Sequence, residues 1–110
     1  MALITNLLHF LDEQGEIAAE IPGPALDLAL FLGAIVGWVT IRQVDHSEET
    51  NVPCLRRQGR RRCTGPIFAH QDGSTIMWEC PVCGDHGVIT GWEDTFWDRR
   101  TGLRPSAPES

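Results

Sequence analysis

The stretch WECPVCGDHGVITGW, residues 78–92, decides how the rest of this 110-residue chain is read. Cys80 and Cys83 stand on a Cys-x2-Cys spacing, with Pro81 between them and Gly84 directly after. Such a pair serves as half of a metal knuckle, as a redox dithiol, or as part of a disulfide framework. Pro81 stiffens the turn. Gly84 supplies the positive φ that lets backbone N–H groups point at the sulfurs. A redox dithiol is activated when it opens a helix whose dipole lowers the first thiol's pKa. The following GDHGVITGW holds three Gly and several β-branched residues, and reads as a short strand.

Upstream, the pattern is Cys54-x8-Cys63-x16-Cys80-x2-Cys83. TGPIFAH and STIMWEC flank QDG, a strong hairpin signal. The 16 residues between Cys63 and Cys80 fit two strands of about six residues and a turn, which would carry both cysteines to one end. Met1 to Phe10 carries no basic residue and the long apolar run is internal, so no secretory leader is expected. The expected location is the cytoplasm, where thiols stay reduced and four cysteines point to metal. The expectation is that Cys54, Cys63, Cys80 and Cys83 bind one structural zinc. Rubredoxin-like iron, redox thiols and disulfides are the alternatives. His86, three residues past Cys83, is expected beside the site rather than as a ligand. Four thiolates leave a tetrahedral ion no open position. With no nucleophile–base signature and no phosphate loop, no catalytic residue is assigned and an enzyme is not expected.

Residues 52–92 resemble the zinc-ribbon superfamily, small antiparallel three-stranded sheets clamped by two Cys pairs. CPVCG carries the resemblance; Cys54 and Cys63, separated by LRRQGRRR, depart from the family's short first knuckle and would form a longer looped one. Members occur in transcription factors, polymerase subunits, ribosomal proteins and small bacterial proteins. The chain also looks like small bacterial zinc-ribbon proteins, a likeness that implies no particular function.

The first half reads as helical. In LITNLLHFLDEQG, Leu3, Ile4, Leu7, Leu8 and Leu11 recur at helical spacing, and Gly15 would stop the helix. EIAAEIPGP reads as a link to ALDLALFLGAIVGWVTI, residues 25–41, which is apolar almost all round. A helix of that kind is buried, forms an oligomer interface, or spans a membrane. Its uncharged stretch, Leu28 to Ile41, is 14 residues, short of the roughly 20 a span needs. A core helix is therefore expected, with a homodimer interface as a compatible second use and a membrane not expected as partner. Gly33 and Gly37, one turn apart, would admit another helix closely. Polar QVDHSEETNVP, residues 43–53, reads as a linker.

The expected fold class is α+β. A helical hairpin (1–44), a linker (45–51), a small three-stranded antiparallel zinc ribbon under an aromatic C-terminal cover (52–100), and a disordered tail (101–110) follow in order. Trp78, Trp92, Phe96 and Trp97 would supply the cover, with Trp38 joining it.

The net charge is −6, and no Lys is present. Residues 1–51 hold eight acids and one Arg, whereas residues 52–71 hold five Arg and no acid. An acidic chain is a poor general binder of nucleic acid. Arg56, Arg57, Arg60, Arg61 and Arg62 are the exception, since they occupy the loop that closes the first Cys pair. They form a candidate contact surface for an acidic protein or for phosphate, or else offset the charge of a tetrathiolate zinc. The expected function is non-catalytic interaction, as a protein–protein adaptor or small regulatory subunit. The alternatives are a nucleic-acid-binding ribbon and a thiol oxidoreductase using the CPVC pair.

Overall fold

A five-stranded mixed sheet with a long helix laid across it organises the described residues. The computed structural model describes residues 3–18, 20–55, 57–58, 61–63 and 65–99. The elements are β1 (Leu3–Asn6), a 3-10 turn (Leu7–Phe10), α1 (Gly23–Arg42), β2 (Glu48–Pro53), β3 (Arg57–Gln58), β4 (Arg61–Arg62), β5 (Pro66–Asp72), β6 (Thr75–Glu79) and β7 (His86–Thr90). The main sheet has five strands in the order β1-β7-β6-β5-β2, and β3 and β4 form a separate two-stranded ribbon. β2, β5, β6 and β7 pair antiparallel in succession, and β1 joins β7 in parallel, from Leu3↔Gly87 to Asn6↔Thr90.

This architecture corrects the expected fold. The three anticipated strands exist as β5, β6 and β7, and Asp72 pairs with Thr75 at the expected QDG turn. They are, however, the interior of a five-stranded mixed sheet rather than a free-standing antiparallel ribbon.

Among the described residues there is also no helical hairpin at the N-terminus. The leucine spacing of residues 3–11 is helical by coincidence. Asn6 Oδ1 accepts the Leu8 N–H at 2.9 Å and turns the chain out of β1 into the 3-10 turn. Leu7 is fully buried, while Ile4 and Leu8 are 71% and 54% exposed. The gain that decides the outcome is long-range: without β1, β7 would present an unpaired edge. Gly15, at φ 79°, sits in a tight turn between Asp12 and Glu16 rather than at a helix end.

The supposed linker contains β2, whose polar pattern reflects an edge position. Its buried residues are Thr50 and Val52, and the Thr50 hydroxyl donates to the Ile67 carbonyl at 2.8 Å. A register shift between Glu49 and Pro53 breaks the ladder there, as edge strands often do.

α1 forms as expected from its apolar composition. Pro22 and Pro24 start it, and Gln43, in the left-handed region at φ 54°, ends it by donating its N–H to the Val39 carbonyl. Ala29, Leu32, Ile35, Val36 and Val39 of α1 are fully buried over Ile67, Ala69, Ile76 and Ile89 of the sheet. Phe31 meets Trp78 edge-to-face at 5.3 Å between ring centroids. Trp92 is fully buried and donates its indole N–H to the Ser74 carbonyl at 3.0 Å, and Trp97 is buried, whereas Phe96 is 52% exposed. Trp38 packs only partly on this core and carries the Arg42 guanidinium 4.6 Å above its ring.

The small-residue stripe on α1 has an internal use. A methyl group added at Gly33 would overlap the Trp97 indole, and Arg99 and the Trp97 backbone lie against Gly37. The close approach that these glycines permit is taken by the chain's own C-terminal segment.

Candidate metal centre

The sheet register brings the two Cys pairs to one end. β2 closes on β5 through Pro53↔Pro66, so Cys54 follows one strand and Cys63 precedes its neighbour. The Cys54 N–H donates to the Gly65 carbonyl at 3.2 Å and locks this first knuckle. Between the two cysteines the backbone folds into the β3–β4 ribbon, with Arg57↔Arg62 and Gln58↔Arg61 paired. At the second knuckle β6 ends at Glu79 and the chain turns through Pro81 and Val82. Gly84, at φ 81°, donates its N–H to the Cys80 carbonyl at 2.8 Å. The Cys80 N–H donates to the Asp85 carbonyl at 2.7 Å, and β7 begins at the next residue.

The four sulfurs converge. Sγ of Cys54 lies 3.7 Å from Sγ of Cys83, and Sγ of Cys63 lies 3.6 Å from Sγ of Cys80. All four lie within 4.8 Å of one another, and none is in a disulfide. A tetrahedron with metal–sulfur bonds of about 2.3 Å has edges of about 3.8 Å, so the donor set fits a tetrathiolate ion. Cys54 and Cys80 are buried, and Cys63 and Cys83 are half-buried.

The thiols of the second knuckle are electrostatically unlike. Burial pushes Cys80 up, but donation from the Cys83 and Val82 backbone N–H groups, with help from the Cys63 and Cys83 thiols, holds it below the ordinary 9.0. Burial also leads at Cys83, and with the adjacent Cys80 it raises that thiol above 9.0 against donation from the Asp85 N–H. In the metal-free protein Cys80 is therefore the first of this pair to ionise. A cation would displace the remaining protons.

His86 stays outside the thiol group, its Nδ1 3.2 Å from the Gly84 carbonyl. Gly65 is a site residue that the sequence reading did not single out. Its N–H donates to Cys63 Sγ at 3.4 Å, and a methyl there would stand 2.5 Å from Val82 Cγ2 and 3.0 Å from Cys80 Sγ. The signal was a Gly two residues past Cys63, echoing Gly84 after Cys83. Of the candidate contact residues, Arg57, Arg61 and Arg62 have their backbone in the β3–β4 ribbon; Arg56 and Arg60 lie outside the described residues, as does the 101–110 tail.

No known family's profile matches the chain, and neither a curated protein nor a solved structure does so.

Proposed function

We propose that this protein is a non-catalytic interaction module. One structural zinc, held by Cys54, Cys63, Cys80 and Cys83, fixes the β3–β4 ribbon as a contact tip. The observation that carries the reading is the convergence of four thiols at near-tetrahedral spacing, with the Arg-rich ribbon inserted between the first two. Such an ion, when bound, supplies cross-linking rather than chemistry, because four thiolates close its coordination sphere. Cys80 has the thiol most easily ionised of the second pair, which is what a thiol oxidoreductase would use. It is only 1% exposed, so a disulfide substrate could not reach it without unfolding the knuckle.

The partner is an acidic protein surface. Five Arg within residues 52–71 provide planar, bidentate donors for carboxylates. Phosphate backbones are disfavoured because the chain carries −6, and nearer −8 with a tetrathiolate zinc.

Elemental mass spectrometry, on protein purified without added metal, tests the site. One zinc per chain, with four thiols released by chelator, is expected. One iron with a charge-transfer absorption would replace zinc, and no metal with fewer than four free thiols would refute the centre. Replacing Arg60, Arg61 and Arg62 with Ala should keep the metal and abolish partner binding. A steep fall of affinity with salt, shared by any nucleic acid, would instead favour the nucleic-acid reading.

A further inference from the structure

The outward face of α1 exposes apolar side chains away from the sheet. The helix buries one face on the sheet, yet the opposite face is not polar. Asp27, Leu30, Ala34, Gly37 and Ile41 follow one another at spacings of three, four, three and four residues, the repeat of a helix–helix seam. Leu30 and Ile41 are each 50% exposed, Ala34 is exposed and Gly37 half-buried. Shallow grooves flank the Leu30–Ala34 ridge, one bounded by Val52, Pro53 and Leu55, the other by Trp38, Trp97 and Arg99.

Charge identifies the occupant. The seam has an acid, Asp27, at its N-terminal end, and Arg42 and Arg99 border its C-terminal end. From Asp27 to Ile41 is about 21 Å at 1.5 Å per residue, with Ala34 at the midpoint. An antiparallel pairing of two copies about Ala34 sets Asp27 beside the partner's Arg42. It sets Leu30 against the partner's Trp38 and places the small side chain of Ala34 at the crossing point. A parallel pairing would set Asp27 against Asp27 and Arg42 against Arg42. The antiparallel arrangement also opposes the helix dipoles. The surface is thus self-complementary in shape and sign only under a two-fold axis through Ala34.

We propose that the protein forms an antiparallel homodimer through the Asp27–Ile41 face of α1, with Asp27 and Arg42 paired across the axis.

The test is sedimentation equilibrium of the full-length, metal-loaded chain. The wild type is expected to fit a reversible dimer, and Ala34→Arg to be monomeric with unchanged circular dichroism and metal content. Asp27→Arg should weaken the dimer at least about tenfold, and adding Arg42→Asp should recover most of that loss. A wild type that stays monomeric at its highest soluble concentration overturns the proposal. So does a dimer indifferent to Ala34→Arg, which would use another face, or a double charge reversal that fails to recover affinity. α1 is also long and apolar enough to cross a bilayer. Co-sedimentation of the wild type, but not of Ala34→Arg, with phosphatidylcholine–phosphatidylglycerol vesicles, without self-association, would assign the face to lipid and likewise overturn the dimer.

Discussion

Gly33→Ala is a sharp test of the packing between α1 and the C-terminal segment, because two effects of known size oppose each other there. In an open helix interior, Gly to Ala stabilises by about 1 kcal/mol. At Gly33 the new methyl would overlap the Trp97 indole, which is buried and backed by the core. Forcing one carbon into such a contact costs about 1–3 kcal/mol through displaced side chains. The net expectation is a destabilisation of up to about 2 kcal/mol, read by urea unfolding of the metal-loaded protein followed by far-ultraviolet circular dichroism. Trp97→Ala by itself should cost about 3–5 kcal/mol. In that background the clash is gone, so Gly33→Ala should change sign and stabilise by about 1 kcal/mol. A double-mutant cycle therefore returns a coupling of roughly 1–3 kcal/mol between the two positions. If Gly33→Ala stabilises the wild type, the indole does not occupy that notch, and the account of why α1 carries a glycine there is wrong.

Other outcomes follow from the same structure. Chelation, or Cys80→Ser, should lower the unfolding midpoint of the whole five-stranded sheet, because one knuckle joins β6 to β7 and the other ties the edge strand β2 to β5. Zinc at a thousandfold excess over its Kd contributes about 4 kcal/mol, and an unchanged midpoint in denaturant would refute a structural role. Asn6→Ala removes the acceptor for the Leu8 N–H and should cost about 1 kcal/mol, with faster amide exchange confined to residues 3–8. His46 should titrate above its ordinary 6.5, owing to its hydrogen bond to Asp45 and then to the charge of Glu48. Its contribution to stability is complete below the unfolded value and disappears as pH rises through the elevated folded one. Glu48→Gln should lower that titration midpoint in a proton NMR series; a wild-type midpoint at or below 6.5 would refute the pairing.

The cysteine site was legible because its signals are local. CPVCG writes a knuckle into five consecutive residues, and QDG writes the hairpin that carries Cys63 to Cys80. α1 was legible for a similar reason, since an apolar run with prolines before it has few other outcomes. The failures share a cause. β1 is a strand only because β7 is beside it, more than 80 residues away along the chain, and no window on residues 3–11 contains that fact. β2 is polar because one of its edges is solvated, and polarity without period resembles a linker. Gly33 pointed correctly to a close approach, but periodicity cannot say whether the visitor is another chain or Trp97.

The parallel pairing of β1 with β7 has a consequence for how the protein comes into being. Residues 3–6 leave the ribosome more than 80 residues ahead of their partner, residues 86–90, the last of the described strands. At about 5–20 residues per second, β1 waits roughly 4–17 s with Ile4 and its neighbours unpaired. β7 can dock on β6 as soon as the second knuckle closes, so the last step in building this sheet is the capture of an earlier-made strand by a later-made one.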